Sequence, residues 1–316
     1  MEKLADLFEH HSRLSTSWMW LSFAVIVITM LLLDLFVFHR RSTEPKLSST
    51  LRICLAYMGI ALLFGLFVIY EKGLETGLLY YTGYLVEFSL SMDNIFVISL
   101  VFTSLNIPRK YQHRVLFWGV LGAVALRAVM ILLGESLISG FHWILYLFSL
   151  FLIYTGAKML AVEEDNSDFR NSRLFRLVES RFKVTHRLHG EHFFAVENGH
   201  THITPLFFAL IIVELMDVVF ALDSIPAIFL ITQDIFVVYT SNIFAILGLR
   251  SLYFLLAEAV SRFKYLKPAL AVILIFIGAK IFLPEIGINI SAWHSLAVTF
   301  LILFGGIAFS LYKTQK

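Results

Sequence analysis

Two pairs of carboxylates recur at one spacing inside strongly apolar sequence. The first lies in Val86-Glu87-Phe88-Ser89-Leu90-Ser91-Met92-Asp93-Asn94, the second in Met216-Asp217-Val218-Val219-Phe220-Ala221-Leu222-Asp223-Ser224-Ile225-Pro226. Glu87 and Asp93 are six positions apart, as are Asp217 and Asp223, and a small polar residue, Asn94 or Ser224, follows each second acid. Glu214 stands one helical turn before Asp217 on the same face. All of these are oxygen donors. Oxygen sites favour hard cations such as Mn²⁺, Mg²⁺ and Ca²⁺, whereas zinc and copper favour imidazole and sulfur. A carboxylate at bilayer centre costs roughly 2.5–3.5 kcal/mol on insertion scales, so acids kept there are expected to serve an ion. Ion binding is the chemistry this pattern predicts, with no catalytic residue assigned. An aspartyl-protease dyad of Asp93 and Asp223 would leave the other acids without a role, and neither follows a Gly-x-Gly element.

The composition says what must hold these acids. Hydrophobic residues make up 59% of the chain and charged residues 15%, with a mean hydropathy of +0.80. Apolar runs long enough to cross a hydrocarbon core of roughly 30 Å recur throughout. The expected fold is all-α, a polytopic membrane bundle of about nine spans near residues 17–39, 50–71, 77–105, 112–139, 141–162, 204–231, 235–261, 266–284 and 292–312. Lys and Arg collect after spans 1, 3, 5, 7 and 9, while the opposite side carries only Lys3, Arg13 and Lys72. By the positive-inside rule this predicts an N-terminus outside and a C-terminus in the cytoplasm. The basic residues then serve orientation, and no nucleic-acid partner is expected. One cysteine, Cys54, rules out a thiolate metal site.

The duplication extends beyond the acids. Leu126-Arg127 with Glu135 in span 4 matches Leu249-Arg250 with Glu258 in span 7, and Gly156-Ala157-Lys158 matches Gly278-Ala279-Lys280. Spans 3–5 and 6–8 therefore read as two three-helix repeats, and an odd number of helices per copy inverts the second in the membrane. The implied division is 1–76 as a flanking segment with two spans, 77–162 as repeat 1, 163–203 as a His-containing cytoplasmic linker, 204–284 as repeat 2 and 285–316 as a final span. Six residues rise about 9 Å, so inversion sets Glu87 near the height of Asp223 and Asp93 near that of Asp217. Six residues also turn the acids of one helix about 120° apart. Local unwinding at Pro226, which cannot donate to the Leu222 carbonyl, is the expected remedy, with that oxygen as an added ligand. Arg127 and Arg250 are expected to neutralise the empty site or to bridge Glu135 and Glu258. Asn242 is a ligand or an interhelical hydrogen bond, and Asp34 in span 1 reaches the interface or another helix. Trp18, Trp20, Trp143 and Trp293 read as interface anchors.

No Gly-x-x-x-x-Gly-Lys-[Ser/Thr] phosphate loop occurs, so ATP is not the expected driver, and proton exchange on the carboxylates is the natural coupling. No prosthetic group is expected. The cargo would be Mn²⁺, or Ca²⁺ or Mg²⁺. A cationic amino acid is the alternative cargo.

At Glu87 through Asn94, at Val213 through Ala227, at Ser241 through Arg250 and at Glu191-His192-Phe193-Phe194 the sequence resembles the TerC family, most closely its Alx-like branch. That family is similar in arrangement to the LysE superfamily of exporters. The resemblance implies manganese export across a bacterial cytoplasmic membrane and gives Glu87, Asp93, Glu214, Asp217 and Asp223 to that task. It also allows a metal-handling role beside the protein secretion machinery, or in tellurite resistance.

Overall fold

The computed structural model describes residues 17–34, 47–141, 143–161, 185, 188–197, 200–256 and 266–314. In lipid a chain must satisfy its backbone polar groups within itself, and apolar runs of this length do so as helices. The helices are α1 (Ser17–Asp34), α2 (Leu47–Lys72), α3 (Leu74–Ser104), α4 (Arg109–Gly140), α5 (Ile144–Ala161), α6 (Pro205–Ile231), α7 (Ile235–Leu256), α8 (Leu266–Lys280) and α9 (Ala292–Thr314). Seven of them are long and apolar enough to cross a membrane. The other two expected spans differ: α8 has only 15 residues, about 22 Å of rise, and α3, at 31 residues, carries Glu75, Glu87 and Asp93.

The linker between α5 and α6 departs from an all-helical reading. Strands β1 (Phe194–Glu197) and β2 (His200–Ile203) pair antiparallel, Phe194 opposite Ile203 and Glu197 opposite His200. Thr204 closes the hairpin against α6: its hydroxyl donates to the His192 carbonyl at 2.8 Å, and Pro205 begins the helix where a missing N–H costs nothing. The acidic start of the linker lies outside the described residues.

α7 is the axis of the bundle. Its apolar window is 89% buried, against 17–39% for the other spanning windows, so its Asn242 and Arg250 face protein rather than lipid. Asp234 fixes where it begins, accepting the N–H of Phe236 at 3.0 Å with one oxygen and the Lys72 ammonium at 2.5 Å with the other. Buried hydroxyls along the interior helices return to their own backbone, as with Thr82 to the Leu78 carbonyl at 2.8 Å and Ser241 to that of Val237 at 2.7 Å.

Helices α3, α4 and α5 pack on α6, α7 and α8 in a closed pattern. α3 meets α7 as α6 meets α4; α3 meets α8 as α6 meets α5; α3–α6, α4–α7 and α5–α8 pair directly. The α5–α8 contact is reciprocal in its atoms. A methyl group on Gly156 would come within 2.6 Å of the Ala271 carbonyl oxygen, and one on Gly278 within 2.7 Å of the Ser149 carbonyl oxygen. Only glycine lets the two backbones approach this closely.

The remaining helices brace this body. α2 lies on α3 and α7, and α9 lies on α3 and α8. An aromatic cluster joins α1, α2, α3 and α7, with Phe64 and Phe244 ring centroids 4.8 Å apart. Trp20, half-buried near the start of α1, joins that cluster edge-on to Phe236 at 5.0 Å. Trp18, Trp143 and Trp293 are exposed near helix ends.

Candidate functional site

Arg127 of α4 stands where α3, α4, α6 and α7 meet, and only 1% of it is exposed. Its guanidinium grips Asp217 as a fork, Nη2 to Oδ1 at 2.9 Å and Nε to Oδ2 at 3.2 Å. Nη1 donates to Glu87 Oε1, to Ser224 Oγ at 3.0 Å and to Asn242 Oδ1 at 3.3 Å. The planar fork suits this work, since it presents five donors to acceptors arriving from three helices. With all three groups ionised, one arginine against Glu87 and Asp217 leaves one net negative charge.

Two cavities flank this bridge. The larger, about 240 Å³, is lined by Glu87, Asn94, Arg127, Thr155, Asp223 and Ser224, with Leu90, Met159, Phe220 and Leu274 as its apolar wall. Asp223 Oδ1 accepts the Thr155 hydroxyl at 3.4 Å. The smaller, about 30 Å³, is lined by Asn94, Glu214, Asp217 and Arg250 among apolar residues that include Val213, Phe220 and Leu249. It lies toward the end of the bundle where α4 begins and α7 ends. Asn94 and Phe220 border both spaces.

Two of the buried unsatisfied oxygens line the smaller cavity. Asn94 Oδ1 and Glu214 Oε2 are buried and lack hydrogen-bond partners among the described residues. Glu214 lies against Gly122 of α4, where a Cβ would overlap its carboxylate. An unpartnered buried acceptor calls for a cation, a proton donor or a water.

The residues expected at the site are distributed as follows. Glu87 and Asp223 line one cavity. The Asp93 side chain lies outside the described residues, so its pairing with Asp217 is not described. α6 remains α-helical through Pro226, and the Leu222 side chain is 54% exposed and absent from both cavity walls. The 120° between Asp217 and Asp223 is accommodated by two cavities, one for each acid, rather than by unwinding. Arg127 bonds the site acids and not Glu135. Glu258 lies outside the described residues. Arg250 pairs with Asp34 of α1 at 2.6 Å. Ser224 and Asn242 turn to Arg127. Among the described residues no three His, Cys, Asp or Glu side chains converge as a closed metal cage. Thr155 and Gly122 were not anticipated; a lone threonine and a glycine in apolar helices carry no signal of their own until a neighbouring acid is in view.

Comparison with known proteins agrees with this membrane architecture. The family model described as integral membrane protein TerC family matches residues 72–316. A membrane protein of Rickettsia bellii (strain RML369-C) is 48% identical over 294 residues, covering 93% of this chain and 97% of its own length. One from Myxococcus xanthus is 46% identical over 297 residues, covering 94% and 93%. The Alx protein of Escherichia coli (strain K12), described as a candidate membrane-bound redox modulator, is 44% identical over 297 residues, covering 91% and 92%. No solved structure matches the chain.

Proposed function

This chain belongs to the integral membrane protein TerC family, and we propose that it exports a divalent cation, manganese first, across a bacterial cytoplasmic membrane. The observation that carries this reading is the pair of buried, unpartnered oxygens of Asn94 and Glu214 on a cavity that also meets Asp217. Each such acceptor costs about 1–3 kcal/mol while unpaired, which a cation would offset. The donors are oxygens, with Glu87, Asp93, Asn94, Glu214, Asp217, Asp223 and Ser224 as the proposed set, and that chemistry favours manganese, magnesium or calcium over zinc.

Arg127 is the resident cation of this mechanism. It offsets one of the two negative charges of Glu87 and Asp217 when no metal is present, and an arriving double charge competes with it for both. At about 10–15 Å³ of cavity space per water the smaller cavity takes about two, while the larger has room for an ion with its water shell. An ion crossing between them exchanges hydration oxygens for carboxylates. Protons returning on those carboxylates would complete an antiport cycle.

The closed packing pattern and the reciprocal glycine contacts support two inverted copies of one three-helix unit, an architecture in which the halves rock around a central site. The redox description of the Alx relatives does not carry over as a dithiol couple, because this chain has a single cysteine.

Mn²⁺ flux in proteoliposomes tests the proposal. Asp223→Asn keeps size and one oxygen but loses charge. Losing one charged interaction costs about 1.5–3 kcal/mol, so flux should fall about tenfold or more. A parent protein without flux sinks the exporter reading, and parental flux in Asp223→Asn removes that acid from the path. Gly122→Ala should push the Glu214 carboxylate aside and weaken Mn²⁺ binding by about tenfold in calorimetry. Its thermal stability should hold, since the displaced atoms end a flexible side chain and alanine favours the helix.

One observation favours a second cargo. Acids beside the apolar wall of Leu90, Met159 and Leu274 could hold a cationic amino acid, and labelled lysine in the same vesicles separates the two readings.

A further inference from the structure

Oxygen ligands alone do not separate manganese from magnesium or calcium by type, since all three ions take oxygen. Both cavities hold something else. Met159 of α5 lines the larger one and Met216 of α6 the smaller. Thr155 and Met159 stand four residues apart on one face of α5, and the Thr155 hydroxyl donates to Asp223 Oδ1 at 3.4 Å, so that face looks onto the larger cavity. Along α6, Val213, Met216 and Phe220 follow at steps of three and four, and all three line the smaller cavity. Among the described residues no histidine or cysteine lines either space, and the acids do not close a metal cage by themselves. The two chambers are furnished alike: each has two carboxylates, one arginine, a share of Asn94 and a single thioether.

We propose that Met159 and Met216 are specificity-determining residues, each offering its thioether sulfur to the cation in its chamber, so that the carrier admits Mn²⁺ and softer ions such as Fe²⁺ and Cd²⁺ and turns away Mg²⁺ and Ca²⁺. This rests on the reading of the two cavities as the cation path, and it narrows that reading to a class of ion. A thioether is neutral and polarisable. It shares electrons with a transition or thiophilic ion, whereas a hard ion gains little from sulfur and forgoes an oxygen at that position. Packing alone does not call for sulfur here, because leucine fills the same wall at Leu90 and Leu274. The unbranched methionine side chain also has the freedom to swing toward an ion and back. One thioether in each chamber applies the selection twice along the path.

Leucine in place of methionine keeps volume and apolarity but removes the sulfur, a swap that packed interiors tolerate. With full-length protein in proteoliposomes, parental Mn²⁺ flux should stay within about twofold under about a hundredfold excess of Ca²⁺. Met159→Leu combined with Met216→Leu should lose about tenfold under the same load, with each single variant between the two. Cd²⁺ flux should fall about tenfold or more in the double variant, and Mn²⁺ flux without competitor should fall less. Equal inhibition of parent and double variant by Ca²⁺ overturns the proposal. So does a fall in Mn²⁺ and Cd²⁺ flux by the same factor, which is what damaged packing would give.

A second readout needs no transport. X-ray absorption at the cadmium edge, on detergent-purified protein loaded with Cd²⁺, detects sulfur neighbours of the bound ion. The parent should show sulfur beside oxygen, and the double variant oxygen alone. Cys54 is buried, lines neither cavity and stays in both proteins, so sulfur that persists in the double variant overturns the proposal. A shell of oxygen alone in the parent does the same, whatever the flux. A parent with the sulfur shell but without Mn²⁺ flux would sink the exporter reading and leave the thioether site standing.

Discussion

Arg127→Gln should be the most damaging single substitution in the protein without metal. It removes the fork from Asp217 and the bond to Glu87, leaving two carboxylates close together in a buried site. Breaking a buried pair by deleting one partner costs about 3–5 kcal/mol. Denaturant titration of detergent-purified protein should record a loss of that size. Added Mn²⁺ should then rescue the variant more than it stabilises the parent, because the metal no longer displaces a resident cation. At a hundred times its Kd a ligand contributes about 2.7 kcal/mol. Equal stabilisation of parent and variant by Mn²⁺ would show that arginine and metal do not compete for the same acids. Flux through Arg127→Gln should fall as well, since the emptied carrier has no charge with which to close its site.

Gly156→Ala and Gly278→Ala should come next. Each new methyl meets a backbone carbonyl, which cannot rotate away as a side-chain tip can. Overpacking of this kind costs about 1–3 kcal/mol. The reciprocal geometry makes two further demands. The single substitutions should cost similar amounts, and the double variant should cost less than their sum, because the first methyl already wedges α5 from α8. Full additivity in the same unfolding assay would mean the two glycines do not share one contact.

How much of this was legible in the residues can be judged place by place. The acids at midspan and the matched Leu-Arg and Gly-Ala-Lys triplets were visible because buried charge and exact recurrence are rare in apolar sequence. The partners of Arg127 were not visible. A guanidinium on a long side chain reaches any of three adjacent helices, and periodicity fixes its own helix face but not the rotation of its neighbours. The same gap hid the use of Asp34 by Arg250. Unwinding at Pro226 was inferred from one lost hydrogen bond, yet the neighbouring bonds of α6 carry the helix through. The hairpin did have a signal, the alternating Phe194-Ala195-Val196-Glu197 followed by Asn198-Gly199, but the charged linker around it reads as loop.

The wall shared by the two cavities carries one more consequence. Among the described residues Asn94 and Phe220 line both spaces, and a file of waters past them would join the two. Hydronium would travel such a file and drain the energy stored across the membrane. A fixed guanidinium on each chamber repels that traveller, as an arginine or the positive ends of half-helices do in water-selective pores. Resting protein would accordingly be tight to uncoupled protons, and the membrane that houses it could stay energised while the carrier waits for its load.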